Sequence, residues 1–280
     1  MTSPIDRPET GAAIRCTGLV HVYRVAGTDV AALRGVDLDV DPGERTALLG
    51  PSGSGKSTLL TVVAGLRRPS AGSVLVDGHD IAQFSERRLY DYRARTVGLM
   101  LQGANSNLLA HRSPVENVAY ATGAPALDNP MLGVAGLLDE RRPVARLDRA
   151  ARQATALAVA MAAEPRLLLV DEPTSQLDRD ARDTLLDALV AATDASGTTV
   201  LMVTHDEEVA GRMQRMVRMR DGRIGAEGAR HDQYAVIGAD GSIQLPEELL
   251  AGWPAGSRVS VEAASADRIH LDRQPPGPLA

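Results

Sequence analysis

A glycine-rich segment with a single lysine carries the strongest chemical signal in the chain. Residues 50–57 read Gly-Pro-Ser-Gly-Ser-Gly-Lys-Ser, which fits the pattern G-x-x-x-x-G-K-[ST] of a phosphate-binding loop. Glycines let a backbone wrap closely around a phosphate and point its N–H groups inward. We predict that Lys56 reaches the β- and γ-phosphates of a nucleoside triphosphate and that the Ser57 hydroxyl binds Mg²⁺.

Lysine usage points to the same position. The chain has 280 residues with 30 Lys plus Arg, and Lys56 is its only lysine. Coding composition accounts for the general preference for arginine, but not for where the exception falls. An ordinary Gly/Ser turn before a helix is the alternative, and it leaves that placement unexplained.

Two adjacent carboxylates supply the second half of the predicted site. Residues 167–172 read Leu-Leu-Leu-Val-Asp-Glu, a buried strand that ends in two acids. We predict that Asp171 holds Mg²⁺ through a water and that Glu172 polarises the water that attacks the γ-phosphate. A surface acidic pair at the end of a strand is the alternative, which the upstream phosphate loop disfavours.

Apolar strands that alternate with helices must position these groups. Strands are predicted at 36–40, 46–49, 73–76, 167–170 and 198–203, and helices at 57–64, 150–163 and 179–192. Residues 83–150 are mixed and largely helical. This alternation predicts an α/β fold with a mostly parallel sheet and helices on both faces. The phosphate loop then lies between a strand and a helix.

Composition limits the function classes. The chain is 44% hydrophobic and 24% charged, as in soluble globular proteins. No apolar run approaches the ~20 residues that span a bilayer, and residues 1–13 lack a signal-peptide pattern. Because Cys16 is the single cysteine, no internal disulfide can form. A net charge of -6 argues against bulk nucleic-acid binding. We expect a cytosolic protein.

Several further short elements occur in the order typical of one family. They are Tyr23, Gln102 after Val-Gly-Leu-Met-Leu, Asp171-Glu172-Pro173-Thr174, Ser175-Gln176-Leu177-Asp178, and Thr204-His205-Asp206. With these elements the chain resembles the ATP-binding subunit of ATP-binding-cassette (ABC) transporters over roughly residues 14–227. The stretch from 31–33 through 69–72 and the residues 114–118 look most like the lipoprotein-release and macrolide-export branch.

The resemblance implies a fold, a ligand and a role for each residue. The fold is a P-loop NTPase cassette with a RecA-like core, an antiparallel β subdomain and a helical subdomain at about 103–152. Catalytic roles fall to Glu172, His205, Gln102 and Lys56. ATP is held by Tyr23, which stacks on adenine, and by Gly50, Pro51, Ser52, Gly53, Ser54, Gly55, Lys56, Ser57 and Thr58. Mg²⁺ is held by Ser57, Gln102 and Asp171, while Gln102 and His205 sense the γ-phosphate.

The same resemblance implies partners and a location. ATP binding closes a dimer, hydrolysis opens it, and separate transmembrane subunits convert this motion into transport. We therefore expect a cytoplasmic subunit that is peripheral on the inner face of the cell membrane. Substrate, transport direction and partner identity are not encoded in this chain, because other subunits choose them.

One family element departs from its pattern. The family's signature, L-S-G-G-Q, aligns with residues 147–153, which read Leu-Asp-Arg-Ala-Ala-Arg-Gln. Asp148 is a good helix N-cap, but its carboxylate repels a triphosphate, and Arg149 adds bulk where close backbone approach is needed. Contact of the Arg149 guanidinium with phosphate is the alternative. We expect an asymmetric dimer with a different ATP-binding subunit rather than a homodimer.

A second, small domain is expected after the cassette. We place a flexible tail at 1–12, the ATPase domain at 13–228, a β-rich domain at 236–272 and a second tail at 273–280. Residues 238–250 and 254–261 resemble the swapped-hairpin (AbrB/MazE/SpoVT-like) fold, with a short helix that begins at Pro246.

The role of this domain stays open between dimerisation or regulation and a plain extension packed on the ATPase domain. Many domains of the swapped-hairpin type bind DNA, but residues 236–280 hold six acids against three arginines, so nucleic acid is an unlikely partner. An ATP-dependent regulatory switch that acts through this domain is the alternative function. A soluble family member acting on DNA repair or ribosomes usually carries two cassettes, unlike this chain.

Overall fold

Two large sheets carry the fold in the computed structural model. It describes residues 11–25, 27–124, 129–229, 232–235, 259–265 and 268–273, with 243, 253 and 257 as isolated positions. The strands are β1 (Ile14–Val25), β2 (Thr28–Val40), β3 (Arg45–Leu49), β4 (Ala71–Val76), β5 (His79–Asp80), β6 (Val97–Met100), β7 (Leu167–Asp171), β8 (Thr199–Thr204), β9 (Arg215–Arg220), β10 (Arg223–Ala229), β11 (Asp232–Ala235), β12 (Val259–Ser265) and β13 (Arg268–Arg273). The α-helices are α1 (Lys56–Val63), α2 (Glu86–Arg95), α3 (Pro114–Thr122), α4 (Pro130–Val134), α5 (Arg149–Met161), α6 (Arg179–Ser196) and α7 (Glu207–Ala210).

The first sheet is antiparallel, in the order β2-β1-β4-β5. The strand predicted at 36–40 is confirmed, and within it Val36, Leu38 and Val40 are buried while Asp39 is exposed. The strand is longer than predicted and begins at Thr28, because β2 pairs with β1 along almost its whole length. This sheet is the predicted antiparallel β subdomain.

The second sheet has seven strands in the order β11-β10-β9-β3-β8-β7-β6. Strands β9, β3, β8, β7 and β6 run parallel, and β10 and β11 extend the sheet antiparallel. The predicted mostly parallel sheet is therefore confirmed. Strand β6 is an addition, since it lies in the stretch predicted to be largely helical.

Burial on both faces explains the continuous apolar strands. Along β7, Leu167 and Leu169 pack into a cluster shared with β1, β2 and α1. Leu168 and Val170 point the other way, into a cluster shared with α5 and α6. This alternation between two cores fixes the register of β7, and so it fixes where Asp171 lies at the strand's end.

Local signals set the helix boundaries. A capping box of Ser113 and Glu116 begins α3, Asp148 caps α5, and Asp178 caps α6, which ends at the left-handed Gly197. The predicted stretch 103–152 holds α3, α4 and the first turn of α5. Across the described ranges, no helix combines the length and apolarity needed to cross a membrane.

The first residues that the structure describes, Gly11 and Ala12, are held by Arg166. Ala12 is fully buried, and its N–H donates to the Arg166 carbonyl at 3.0 Å. Arg166 in turn donates to the Gly11 carbonyl and pairs with Asp77. Gly11 and Ala12, which the predicted tail at 1–12 includes, are therefore held by the rest of the chain, and residues 1–10 lie outside the described chain.

Near the other end, β12 and β13 form an antiparallel hairpin. Val259 and Val261 lie in β12, and Ile269 and Leu271 lie in β13. The helix predicted from Pro246, most of the predicted domain at 236–272, and residues 274–280 lie outside the described residues.

Gly98 tests the close packing of β6. A Cβ at Gly98 would lie 2.2 Å from the Ala160 carbonyl oxygen, whereas one at Gly133 in α4 would lie 3.7 Å from its nearest neighbour, Leu138 Cδ1. Gly98→Ala is expected to destabilise the fold by about 1–3 kcal/mol because backbone must move. Gly133→Ala is the control and should be neutral or up to ~1 kcal/mol stabilising. Urea midpoints measure both, and equal midpoints would contradict the packing described.

Candidate active site

The phosphate loop packs closely against β2 and β9 on one side and is open on the other. A Cβ at Gly50 would lie 2.1 Å from the Met219 carbonyl oxygen, and one at Gly55 would lie 2.4 Å from that of Ala32. Gly55 also has φ +102°, a left-handed conformation, at the start of α1. At Gly53, with φ +81°, nothing lies within 4 Å of a Cβ position. The loop therefore leaves room for a ligand on the open side.

Lys56 bridges the loop from inside. Its side chain is buried, and Nζ donates to the carbonyl oxygens of Gly50 at 2.7 Å and Pro51 at 2.9 Å. Burial lowers the pKa of the Lys56 amine, and the nearby carboxylates of Glu172 and Asp171 oppose that shift. The ammonium is thus held where phosphate oxygens would arrive, with two neutral carbonyls as its main partners.

Asp171 is a buried carboxylate with an open coordination position. It is 4% exposed, and the nearby Ser57 hydroxyl favours its charged form. Within the described chain, Oδ1 is buried and makes no hydrogen bond. Burial raises the pKa of Asp171, and Ser57 and Lys56 oppose this shift. A carboxylate oxygen beside a hydroxyl is a donor set that suits a hard divalent cation.

Glu172 and His205 come from neighbouring strands and meet. The Glu172 N–H donates to the Val203 carbonyl at 2.9 Å, and Glu172 Oε1 lies 2.7 Å from His205 Nδ1. Glu172 is left-handed, with φ +52°, a conformation that costs a glutamate about 1–3 kcal/mol. Its side chain is 9% exposed and that of His205 is 66% exposed. A buried carboxylate thus faces the site, with an imidazole at the rim.

A cleft of about 490 Å³ brings these groups together. Besides residues 51–58, its lining consists of Ala32, Gln102, Asp171, Glu172, Val203 and His205. Gly50 lies behind the loop, as the carbonyl partner of Lys56. Sequence reasoning missed Ala32 and Val203, whose apolar side chains carry no chemical signal beyond their place in β2 and just before His205.

Tyr23 lies beside the cleft instead of lining it. Its hydroxyl is 3.2 Å from Thr58 Oγ1, which connects the ring to the rim. The Arg67 guanidinium lies over the ring, with Cζ 5.0 Å from the centroid, and His21 meets the ring edge-to-face at 4.7 Å. Sequence reasoning did not identify Arg67, an exposed arginine among many.

The segment aligned with the family signature lies outside the cleft. Asp148 and Arg149 are exposed. Asp148 Oδ1 accepts a hydrogen bond from the Ala151 N–H at 2.8 Å, which confirms the predicted N-cap. Neither residue lines the cleft of its own chain.

Sequence comparison decides the family. A family model described as "ABC transporter" matches residues 33–175. The lipoprotein-releasing system ATP-binding protein LolD of Ruegeria pomeroyi is 40% identical over 227 residues, which is 76% of this chain and 97% of that protein. The chain belongs to the ABC transporter family. Within the ABC transporter it is the ATP-binding subunit, an ATPase that powers transport.

Other ABC proteins match in different ways. The macrolide export ATP-binding/permease protein MacB of Syntrophobacter fumaroxidans is 37% identical over 73% of this chain and 30% of its own length. The methionine import ATP-binding protein MetN of Rhizobium meliloti is 34% identical over 96% of this chain and 78% of its own length. The MetN alignment therefore continues beyond the cassette.

Solved structures give the same fold. The ATP-binding cassette MJ0796, in a dimeric post-hydrolysis state bound to ADP and Pi, matches with a TM-score of 0.71 and 27% identity, covering 78% of this chain and 99% of that one. The cbiO1 protein of Clostridium perfringens matches with a TM-score of 0.67 and 26% identity, over 77% of this chain and 87% of that one. The ABC cassette predicted from sequence is confirmed.

The buried charge of Asp171 gives a stability prediction. An acid whose pKa is raised in the folded state is most favourable below its unfolded pKa, and stability falls as pH rises through the folded value. At neutral pH the folded ABC subunit therefore bears the burial cost, so Asp171→Asn is expected to stabilise the nucleotide-free chain by about 1 kcal/mol.

Thermal unfolding measures this effect, with an expected rise in Tm of about 2–4 °C. Asp178→Asn is the matched control, because it changes an exposed N-cap that asparagine replaces equally well. A lower Tm in Asp171→Asn than in Asp178→Asn would contradict the burial argument.

Proposed function

We propose that this subunit binds ATP with Mg²⁺ in the 490 Å³ cleft and hydrolyses it to drive transport through separate transmembrane subunits. One observation carries the proposal. The buried Oδ1 of Asp171, which has no hydrogen bond to any described residue, lies in the same cleft as Ser57 and the Glu172–His205 pair. A cation position and a position for the attacking water thus share one cavity.

The triphosphate is held by backbone and by Lys56. The loop's N–H groups and the start of α1 offer donors and partial positive charge. Lys56 exchanges its carbonyl partners, Gly50 and Pro51, for oxygens of the β- and γ-phosphates. That exchange is favourable because a charge-assisted bond to phosphate is stronger than one to a neutral carbonyl. Tyr23, joined to the rim through Thr58, stacks on the adenine.

Mg²⁺ fits the donor set of the cleft. Ser57, Gln102 and Asp171, which line the cleft together, would hold it. When bound, Mg²⁺ neutralises phosphate charge and so favours attack on the γ-phosphorus. Lys56 is the one Lys or Arg among the described residues that line the cleft, which leaves most of a triphosphate's charge for the metal to balance.

Glu172 acts on the water. Its carboxylate accepts a hydrogen bond from the water, orients the water oxygen toward the γ-phosphorus and takes its proton as the new P–O bond forms. The bond between the γ-phosphorus and the β,γ-bridging oxygen breaks, which releases ADP and phosphate. His205 contacts Glu172 at 2.7 Å from the rim, where it senses the γ-phosphate together with Gln102.

The proposed location is the cytoplasmic face of the cell membrane, with the subunit bound peripherally to its transmembrane partners. Within the ABC family we favour the lipoprotein-release and macrolide-export branch, since the names of LolD and MacB relatives refer to those activities. We further propose that residues 236–272 form a separate small domain that does not bind nucleic acid. The β12–β13 hairpin and the acidic balance of this region support that view.

The signature segment supports an asymmetric dimer. The Asp148 carboxylate already accepts the Ala151 N–H, so that donor is not free for a phosphate of the partner's nucleotide. Asp148 also brings negative charge to the position, and Arg149 fills space that glycine leaves open in the family pattern. A homodimer would carry two such sites, whereas a different partner subunit with an intact signature restores one. We therefore favour a heterodimer.

Nucleotide binding is predicted to separate from hydrolysis. The chain alone should bind ATP, and Lys56→Ala should lose this binding, because it removes the one Lys or Arg side chain among the described residues that line the cleft. Glu172→Gln should keep ATP affinity and lower turnover about 10²–10⁴-fold. Calorimetry gives the affinities and phosphate release gives turnover. A Glu172→Gln variant with unchanged turnover would contradict the role assigned to Glu172.

Restoring the signature should raise activity. The triple variant Asp148→Ser, Arg149→Gly, Ala150→Gly removes the carboxylate and frees the backbone, so its turnover as a homodimer is expected to exceed the natural chain's by about tenfold or more. Arg146→Ala, which changes an exposed arginine just before the aligned segment, is the control and should change little. Lower turnover in the triple variant would instead show that Arg149 contacts the partner's nucleotide and that the homodimer is the working unit.

A further inference from the structure

Two arginines of α6 hold the segment that follows His205. Arg182 Nη2 donates to Glu208 Oε2 at 2.8 Å and Nη1 to Asp206 Oδ2 at 3.5 Å. Arg179 Nη2 lies 3.1 Å from both oxygens of Glu208. The Arg182 side chain is 15% exposed, unlike most ion-pairing arginines of this chain. Arg182 Nε also donates to Asp183 Oδ1 at 3.1 Å. A guanidinium shared by three carboxylates and largely shielded from water is held more firmly than a single exposed pair.

His205 itself has few attachments. Within the described chain, the contact with Glu172 is the one hydrogen bond of its imidazole, and the side chain is mostly exposed. Its position therefore depends on the backbone that follows. Asp206 donates its N–H to Thr204 Oγ1 at 3.1 Å, and Asp206 Oδ1 accepts the Glu208 N–H at 2.8 Å. Arg182 forms an ion pair with the other oxygen of that carboxylate, Asp206 Oδ2.

The segment from Glu172 to Arg182 and the segment from His205 to Glu208 form a closed ring of contacts that includes Glu172. From Glu172 the chain turns sharply, with the Ser175 N–H donating to the Glu172 carbonyl at 3.2 Å. It reaches Asp178, which caps α6, and Arg182 follows one turn later. Arg182 contacts Asp206, the neighbour of His205, and His205 returns to Glu172. A displacement of Arg182 therefore changes the placement of His205 relative to Glu172.

Charge gives Arg182 a second effect. Residues 206–208 are three consecutive acids, Asp-Glu-Glu. Arg218 pairs with Glu207, while Arg182 and Arg179 account for the other two. Without Arg182, the Asp206 carboxylate loses its cation and repels Glu208, which favours opening of the turn that begins α7.

We propose that Arg182 is a positioning residue for hydrolysis, because it holds Asp206 and Glu208 and so keeps His205 against Glu172. This inference rests on the proposed roles of Glu172 and His205. Arg182 lies outside the residues that line the cleft, so nucleotide affinity does not depend on it. Its effect falls on the step in which Glu172 and His205 act.

Substitution of Arg182 in the full chain tests the inference by kinetics. Arg182→Met, which keeps the length and removes the charge, is expected to lower kcat about tenfold, equivalent to about 1.4 kcal/mol, with KM for ATP nearly unchanged. Arg182→Lys should recover part of kcat, since one ion pair remains possible. The double variant Arg182→Glu, Glu208→Arg, which swaps the two charges, should have a higher kcat than Arg182→Glu alone.

Arg212→Met is the matched control. Arg212 also links α6 to the segment after His205, through Asp187 and, at 4.0 Å, Asp183, but it lies seven residues from His205. Its kcat is expected to stay close to wild type. Equal losses of kcat in Arg182→Met and Arg212→Met would overturn the inference, because general destabilisation would then explain both.

A second readout does not require turnover. The imidazole NMR signal of His205, assigned among six histidines with His205→Asn, should differ between wild type and Glu172→Gln because their contact changes. Arg182→Met should move the signal most of the way toward Glu172→Gln, and Arg212→Met should not. An unmoved signal in Arg182→Met overturns the inference. If the signal moves while Glu172→Gln leaves turnover intact, the positioning role stands and the proposed role of Glu172 fails.

Discussion

The burial of a carboxylate without a full set of partners is the constraint on which this site depends. Asp171 ends a strand that is buried on both faces, so its side chain cannot swing into water. Ser57 and Lys56 offset only part of the cost, and the pKa of the acid stays raised. In the proposed function a bound cation and a polyanion together balance this unfavourable group, so folding stability is exchanged for ligand binding.

Sheet topology explains why the other groups meet Asp171. In the parallel part of the sheet, β3 leads into the phosphate loop, β7 ends in Asp171, β8 leads to His205, and β6 leads to Gln102. Parallel strands place their carboxyl ends at one edge, where crevices for ligands form. In the order β3-β8-β7-β6, the phosphate loop after β3 lies next to β8, which leads to His205. Strand β8 separates β3 from β7, which ends in Asp171. Segments more than a hundred residues apart thus line one cleft.

Contiguous motifs could be predicted because their spacing encodes their geometry. The loop at 50–57 and the acids after β7 lie where the sequence placed them, since backbone sterics and strand burial act locally. Strand β6 was missed because it is short and contains Gly98, whose lack of a side chain matters only when the Ala160 carbonyl approaches it.

Contacts between distant segments carried no local signal. The docking of Ala12 depends on Arg166, and the grip of Arg182 on Asp206 depends on a helix and a loop that only the fold brings together. Tyr23 was found by family order, yet its neighbours His21 and Arg67 were not. In a chain so rich in arginine, residue type and sequence spacing do not distinguish an arginine that makes specific contacts from one that is only solvated.

Because Lys56 is the single lysine, the phosphate loop contains the only primary amine among the side chains. Guanidinium groups supply the remaining positive charge, and they resist acylation and imine formation under mild conditions. Burial lowers the pKa of Lys56, which increases the share of the neutral, nucleophilic form. An amine-directed reagent therefore has one side-chain target in this protein, and its reaction reports directly on whether the loop is occupied, while the charge of the surface stays unchanged.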